Sequence, residues 1–162
     1  MDRFQKLREL SDAENTTTYL VKRKSDDAEF VLKQIDIGEL GDDYLNIAQS
    51  EAEIMKSLNH QNIVKYEESW TDDGYFYILM EYCQDGDLHT QIINADGCFF
   101  SEKKIVNWLS QMCQAIKHCH DRNLLHRDIK ASKLLTNSVS LQCISLIQGV
   151  GTRFNSNMYF VF

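Results

Sequence analysis

The stretch Leu124-Leu125-His126-Arg127-Asp128-Ile129-Lys130 decides how the rest of this chain is interpreted. An apolar pair leads into a loop that carries His, Arg, Asp and Lys side chains close together. Such a loop can hold the carboxylate of Asp128 beside a hydroxyl nucleophile, while the ammonium of Lys130 holds a phosphate oxygen. Phosphoryl transfer needs little more than this base and clamp, because most of its catalysis is positioning and charge neutralisation. The alternative is a charged loop at the end of a helix that matches this pattern by chance.

Length and composition indicate a globular chain. Its 162 residues, 43% hydrophobic and 25% charged, are enough for one domain or two small lobes. The net charge of -7 disfavours a nucleic-acid partner, which usually requires a basic face. We expect no membrane partner and no secretory signal, since no stretch of about 18 apolar residues exists and Met1–Phe4 opens a polar stretch. Five cysteines without zinc-type spacing indicate reduced thiols in a cytoplasmic protein.

Strand-like segments in the first half predict a hairpin-rich sheet. The end of the run Ser11–Val21 and the segment Glu29–Ile35 are rich in β-branched and aromatic residues, with a turn at Ser25-Asp26-Asp27 between them. Two further strands are predicted on either side of the hairpin turn Asp72-Asp73-Gly74. These two strands are Glu67–Thr71 and Tyr75–Met80.

One helix interrupts these strands and carries a carboxylate on its apolar side. The helix is predicted over Ile47–Leu58, with an apolar stripe at helical spacing. The stripe consists of Ile47, Ile54 and Leu58. Glu51 falls on the same side, where a carboxylate costs energy unless it meets a cation. Lys33 is the expected partner, although a lysine at the end of a strand is also common at a solvent edge. Glu53 lies off the stripe and fits a solvated position better than Glu51 does.

Two helices are predicted before the stretch Leu124–Lys130. Asp87 is expected to cap a short helix that runs to about Asn94, and Ser101 to begin a longer helix that ends near His120. The longer helix carries a wide apolar stripe, which consists of Ile105, Trp108, Leu109, Met112, Ile116 and Cys119. We expect part of this stripe to lie open or to be covered by the tail Ser140–Phe162. An open apolar patch predicts self-association or a need for a chaperone or binding partner.

Taken together with its neighbours, the opening stretch resembles the catalytic loop of protein kinases. Residues 4 to about 147 resemble the protein kinase fold. Their sequence motifs are closest to those of the NIMA-related serine/threonine kinases. The strings that carry the resemblance are Tyr77-Ile78-Leu79-Met80-Glu81-Tyr82-Cys83, Asp85-Gly86-Asp87-Leu88 and His126-Arg127-Asp128-Ile129-Lys130. The resemblance implies an α+β fold: a complete β-rich small lobe, residues 1–82, and the first part of a helical large lobe, residues 83–147. Residues 148–162 are expected to form a divergent tail.

The same resemblance implies roles for individual residues. It makes Asp128 the catalytic base and Lys130 part of the phosphate clamp. It places Lys33 at the α- and β-phosphates of ATP, with Glu51 holding that lysine in position. The full set implied around ATP is Leu10, Lys33, Glu51, Met80, Glu81, Cys83, Asp87 and Leu135.

The segment Glu81-Tyr82-Cys83 resembles the hinge between the kinase lobes. By this resemblance, the backbone amide and carbonyls of Glu81 and Cys83 read the edge of adenine. Met80 guards the back of the adenine pocket, and Asp87 touches the ribose. These roles rest on the resemblance alone.

The chain departs from the family pattern where phosphate and metal would bind. The three glycine positions of the first hairpin are occupied by Ser11, Ala13 and Thr16. Lys133 stands at the magnesium-binding asparagine, and an ammonium has no lone pair with which to ligate a cation. The metal-binding D-F-G string is replaced by Leu146-Ile147-Gln148-Gly149, which has no carboxylate. We therefore expect no protein ligand for magnesium and weak or absent ATP binding.

Three functions remain open on the sequence. The first is an active protein serine/threonine kinase that acts on a protein substrate. The second is a pseudokinase-like module that binds a regulatory protein partner. The third is a truncated product without a function of its own. The missing magnesium ligands argue against the first, and the retained Lys33, Glu51 and Asp128 argue against long decay.

Overall fold

The computed structural model describes residues 2–38, 41–137 and 140–143. The chain forms two compact units: residues 1–57 with 65–82 make up unit 1, and residues 58–64 with 83–162 make up unit 2. The division at residues 82/83 and 147/148 remains a prediction. The segment 58–64, which was assigned to the small lobe, groups with unit 2, and the predicted tail 148–162 lies outside the described residues.

Unit 1 contains a five-stranded antiparallel sheet in the order β1-β2-β3-β5-β4. Its strands are β1 Phe4–Ala13, β2 Thr16–Arg23, β3 Glu29–Asp36, β4 Tyr66–Asp72 and β5 Tyr75–Glu81. The sequence predicted strands β2 to β5 but no strand over residues 4–13. Nearly all of β1 is exposed after Phe4, so its sequence lacks the apolar–polar alternation that marks a half-buried strand.

The turn between β4 and β5 has the conformation that its sequence predicts. Asp72 pairs with Tyr75, so Asp73 and Gly74 alone form the turn. Both have positive φ, 45° and 78°, which a type I′ hairpin turn requires.

The two edge strands of the sheet approach each other at one end. Phe4 of β1 stacks on Trp70 of β4 with ring centroids 5.8 Å apart. Arg3 lies over both rings and pairs with Glu68 of β4 at 3.1 Å. The rings lie beside a buried cluster on one face of the sheet, which consists of Phe4, Val21, Phe30, Leu32, Tyr77 and Leu79. Strong curling of the sheet therefore brings its first and last strands into contact.

Helix α1 spans Gly41–Ser57 and begins earlier than the sequence predicted. Its predicted apolar stripe is wrong at Ile47, which is 46% exposed. The buried face is instead formed by Ala48, Ala52 and Met55, at spacings of four and three residues. Small alanines on this face allow the helix backbone to approach the sheet closely, whereas a stripe of larger residues would hold it further away.

Unit 2 contains two helices and a short hairpin. Helix α2 spans Leu88–Asn94 and helix α3 spans Glu102–His120. The predicted caps are present, since Asp87 accepts from the Thr90 amide and Ser101 from the Lys104 amide. A 3₁₀ turn, Ala131–Lys133, leads into β6 Leu134–Asn137 and β7 Ser140–Cys143, which pair antiparallel. Among the described residues, none of the helices is both long and apolar enough to cross a membrane.

The segment 58–64 packs against α3 through a pair of histidines. The His60 ring lies 4.9 Å from the His118 ring, between centroids. His60 Nδ1 accepts from the Asn62 amide at 3.1 Å, and the Asn62 side chain donates to Gln111 of α3 at 3.4 Å. His118 Nε2 is buried and has no hydrogen-bond partner among the described residues. A neutral imidazole therefore suits this position better than a charged one.

Candidate active site

The predicted ion pair between β3 and α1 is present. Lys33 Nζ lies 2.8 Å from Glu51 Oε1 and 2.9 Å from Oε2. The side chains are 5% and 18% exposed, so the pair is largely withdrawn from water. Glu51 faces the sheet because it lies three residues after the buried Ala48 and four before the buried Met55, on the same side of the helix.

Met80 and Glu81, which the family resemblance places at the adenine pocket, lie at the end of β5. Met80 is 2% exposed and pairs with Val31 of β3. The Glu81 amide donates to the Lys65 carbonyl at 2.9 Å, so that amide is already used within the sheet. Leu10 is a half-buried residue of β1 and lies at the register shift between Glu9 and Ser11.

The tip of the β1–β2 hairpin stands where the resemblance implies a glycine-rich phosphate loop. Ala13 pairs with Thr16, so Glu14 and Asn15 alone form the turn. Asn15 has a positive φ of 59°, which asparagine tolerates better than most residues other than glycine. Its carbonyl accepts from the Asp36 amide at the end of β3, at 2.9 Å. The tip is thus tied to a neighbouring strand and carries the carboxylate of Glu14.

In unit 2, backbone bonds join β6 to the segment before α2. Asp87 and Leu135 form an isolated antiparallel bridge. The Thr136 amide donates to the Gly86 carbonyl at 2.8 Å, and the Asp85 amide donates to the Thr136 carbonyl at 3.3 Å. Two residues that the resemblance places around the nucleotide, Asp87 and Leu135, are therefore adjacent.

Sequence reasoning missed two side chains that reinforce this junction. Thr136 is 3% exposed; its hydroxyl donates to the Gly86 carbonyl at 3.0 Å and accepts from the Gln91 side-chain amide. Gln91 Nε2 also donates to the Asp85 carbonyl at 3.4 Å. A threonine in a strand is too common to signal such a contact from sequence.

The side chain of Asp87 serves α2 as a cap. One of its oxygens accepts from the Thr90 amide at 2.8 Å, and the other accepts from the Thr90 hydroxyl at 2.9 Å. The adjacent Cys83 is buried, and its carbonyl accepts from the Gly86 amide at 3.3 Å. The capping role predicted for Asp87 is confirmed, while its contact with ribose remains a prediction.

The catalytic-loop residues lie close together. Lys130 Nζ is 3.1 Å from Asp128 Oδ1, and the two side chains are 52% and 31% exposed. The Asp128 amide donates to Nδ1 of His126, a buried residue, at 3.2 Å. Arg127 between them has a positive φ of 64°, so the loop makes a sharp local turn. The carboxylate and the ammonium assigned as base and clamp are thus neighbours and both accessible.

Lys133 stands at one of the two positions that the resemblance implies for magnesium. Lys133 ends the 3₁₀ turn, and its amide donates to the Lys130 carbonyl at 2.8 Å. Within the described ranges, no group of three or more His, Cys, Asp or Glu side chains is placed to hold a metal ion. The substituted string Leu146–Gly149 lies outside the described residues.

Comparison with known families matches residues 4–148 to the protein kinase domain. This chain belongs to the protein kinase family. Serine/threonine-protein kinase Nek1 of Mus musculus is 36% identical to it over 134 residues. Serine/threonine-protein kinase Nek5 of Homo sapiens is 34% identical over 134 residues, and Nek3 of Mus musculus is 37% identical over the same length. The kinase-like α+β fold and the likeness to NIMA-related kinases, expected from the sequence, are confirmed.

This kinase-family chain matches only a part of those relatives. The alignments cover 83% of the chain but 11%, 19% and 26% of Nek1, Nek5 and Nek3. The matched part contains both the Lys33–Glu51 pair and the Asp128 loop.

Proposed function

We propose that this kinase-family chain binds adenine nucleotide weakly, without help from magnesium, and transfers phosphate poorly or not at all. Its role would then be that of a pseudokinase-like module that binds a regulatory protein in the cytoplasm. The observation that carries the proposal is Lys133 at the magnesium-binding position. An ammonium offers only donors, so it repels a divalent cation rather than ligating it.

The β1–β2 tip supports the same proposal. Asp12 Oδ1 accepts from the Thr17 hydroxyl at 3.0 Å, and Glu14 lies in the turn itself. Glycine-rich loops bind phosphate through backbone N–H groups that approach it closely. A tip with two carboxylates and no glycine opposes a polyphosphate instead of cradling it.

Despite the changes at the phosphate and metal positions, two ion pairs of the chain support binding of a nucleotide. Lys33 is held by Glu51, and Lys130 lies at the surface beside Asp128. By the family resemblance, Lys33 of unit 1 and Lys130 and Lys133 of unit 2 are the cations that would neutralise phosphate charge in place of a metal. Affinity would then come from these charges and from the backbone of the hinge, whose hydrogen bonds do not depend on its side chains.

The test is the shift in melting temperature of the purified chain with ATP, measured with and without Mg²⁺, together with a peptide-phosphorylation assay. The expected result is a small shift that is the same in both conditions and no transfer above background. A large Mg²⁺-dependent shift, or Mg²⁺-dependent transfer that Asp128→Asn abolishes, would contradict the proposal.

The second candidate is an active serine/threonine kinase of which this chain is one part. The preserved Lys33–Glu51 pair favours it, because that pair holds a phosphate-binding lysine in position. The two candidates differ in the assay with Asp128→Asn. An active kinase loses its transfer in this variant, whereas a binding module keeps both its nucleotide-induced shift and its protein partner.

A further inference from the structure

Tyr82 directly follows β5 and is bonded to the first strand of the same sheet. Arg8 of β1 donates a hydrogen bond from Nη2 to the Tyr82 hydroxyl at 3.3 Å, across 74 positions of sequence. Strands β1 and β5 are not neighbours, because β2 and β3 lie between them in the sheet. The contact therefore ties together two parts of unit 1 that no direct strand pairing connects.

Arg8 begins a row of paired residues that crosses the sheet toward Tyr82. Arg8 pairs with Leu20, and Leu20 pairs with Val31. Val31 in turn pairs with Met80, two residues before Tyr82. Residues that are directly opposite each other in antiparallel strands place their side chains on the same face of a sheet. Arg8 therefore belongs to the sheet face that carries Val31 and Met80.

The pairing of β1 with β2 is irregular on both sides of Arg8. The register shifts twice, between Lys6 and Arg8 and again between Glu9 and Ser11. Leu10 lies within the second shift and faces no residue of β2 in this register. A bulge interrupts the hydrogen-bonded ladder and changes the direction of the side chains beside it. The position of Leu10 thus depends on contacts outside the ladder, and the bond made by Arg8, two residues earlier, is such a contact.

Tyr82 is a suitable anchor for this contact. It is half-buried and follows five consecutive buried residues, 76–80, so its ring extends from a well-packed strand. A tyrosine has only two side-chain torsions and loses little conformational entropy when it is held. The donor is a charged guanidinium, and a charged donor makes a stronger hydrogen bond than a neutral one. The bond can therefore hold the irregular strand β1 to the end of β5.

We propose that Arg8 and Tyr82 are a positioning pair that holds β1, and with it Leu10, in the place that an adenine ring requires. The inference rests on the proposed function, in which Leu10 and Met80 are among the residues around the nucleotide. Neither member of the pair has to touch the nucleotide, because both act through the placement of Leu10. When the bond is lost, β1 moves more freely and the nucleoside loses part of its contact with Leu10.

The first experiment measures amide hydrogen exchange of residues 4–13 in the full chain without ligand. Tyr82→Phe removes the hydroxyl and keeps the ring. Tyr44→Phe makes the same change at an exposed tyrosine of α1 and is the control. We expect exchange over β1 to be about three-fold faster in Tyr82→Phe, because loss of the bond raises the population of locally opened β1. Tyr44→Phe should match the parent.

The second experiment measures the binding of adenosine, which has no phosphate and therefore does not respond to the charge of Arg8. Arg8→Met keeps the length of the side chain but removes its donors, whereas Arg8→Lys keeps a donor. The dissociation constant should rise about three-fold in Tyr82→Phe and in Arg8→Met, as expected for the loss of one hydrogen bond. Arg8→Lys should lie closer to the parent, and Lys24→Gln, which removes an exposed cation from the β2–β3 turn, should match it.

Two further measurements separate positioning from a general loss of stability. The double variant Tyr82→Phe with Arg8→Met should bind adenosine no more weakly than either single variant, because both changes remove the same bond. The melting temperatures of all variants should stay near that of the parent. If Tyr82→Phe does not fold, Arg8→Met at the exposed end of the contact decides the question.

Equal exchange and equal adenosine affinity in Tyr82→Phe and Tyr44→Phe overturn the inference. Additive weakening in the double variant also overturns it, because the two side chains then act separately. A parent chain that binds no adenosine contradicts the proposed function instead. Faster exchange of β1 in Tyr82→Phe would in that case still support Arg8 and Tyr82 as the tie between β1 and the end of β5.

Discussion

Lys33 and Glu51 are joined by two hydrogen bonds of 2.8 and 2.9 Å, although they lie eighteen residues apart in sequence. The pair connects β3 to α1 at a position where both side chains are mostly buried. Because the two charges are withdrawn from water, each depends on the other for solvation. The pair therefore fixes the position of α1 against the sheet.

Glu51→Gln should destabilise the chain strongly. The amide keeps the size of the side chain but removes the charge, so the Lys33 ammonium stays buried without its counter-ion. Breaking such a pair costs about 3 kcal/mol or more in the free energy of unfolding. Urea unfolding followed by circular dichroism measures it. The matched control is Glu53→Gln, whose carboxylate is 73% exposed and 3.7 Å from Lys56, and it should cost less than about 1 kcal/mol. Equal effects of the two changes would contradict a buried pair.

Gly74→Ala should destabilise the β4–β5 hairpin by about 1–2 kcal/mol, the cost of placing an L-residue in the left-handed region. Gly74 has a φ of 78°, and a Cβ there would meet no atom within 4 Å, so the cost is conformational rather than steric. Gly38→Ala is the control, because Gly38 does not adopt a left-handed φ and its nearest contact would be an ordinary 3.5 Å. Thermal unfolding of the two variants should separate them clearly. A Gly74→Ala chain as stable as Gly38→Ala would exclude this turn conformation.

The stability of the chain should fall between neutral and mildly acidic pH partly because of His118. Burial lowers the pKa of His118 below its usual 6.5, and Arg122 and His60 act in the same direction, while Asp121 opposes them. The folded state thus binds this proton less readily than the unfolded state does. Its contribution is fully present above about pH 6.5 and is lost as pH falls toward the lowered pKa.

The measurement for His118 is the free energy of unfolding at pH values from 7.5 to about 5, the range in which histidine titrates. His118→Gln cannot gain the charge, so its stability should fall less steeply with acid than that of the parent. The control is His89→Gln, the same replacement at an exposed histidine. Parallel curves for parent and His118→Gln would show that this histidine is not protected from protonation.

Lys133→Asn should make nucleotide binding respond to magnesium. Replacing the ammonium by a side-chain carbonyl supplies an oxygen ligand and removes a repelling charge. We expect the ATP-induced rise in melting temperature to become larger with Mg²⁺ than without it, whereas the parent shows no difference. Lys103→Asn, an equal change of charge on the exposed side of α3, should leave the parent behaviour unchanged. A parent chain that already depends on Mg²⁺ would refute the proposed role of Lys133.

The sequence predicted those parts of the fold that depend on local signals. The Asp73-Gly74 turn and the caps at Asp87 and Ser101 each follow from the conformation or hydrogen bonding of a few adjacent residues. The Lys33–Glu51 pair was predictable for a different reason. A carboxylate on the inner face of a helix requires a cation, and the resemblance to the kinase small lobe indicated Lys33 as that cation.

Features that depend on packing between distant segments escaped prediction. Strand β1 is exposed along most of its length after Phe4, so its sequence has no hydrophobic pattern to detect. The buried face of α1 is built on Ala48 and Ala52 instead of the larger Ile47, because closeness to the sheet matters more there than side-chain size. The contact of Gln91 with Thr136 joins residues 45 positions apart and has no local signal.

The meeting of Phe4 with Trp70 bears on how this chain could aggregate. β1 and β4 are the two edges of the sheet, and each has a register shift, at Lys6/Arg8 and Glu9/Ser11 in β1 and at Tyr66/Glu68 in β4. Bulged, charged edges are poor templates for strand addition, and curling further turns their open backbone groups away from a flat partner. Unit 1 is therefore protected against growth of β-fibrils from its edges. Any assembly of this chain into larger particles would begin instead at the apolar helical surface of unit 2 and would lack a cross-β repeat.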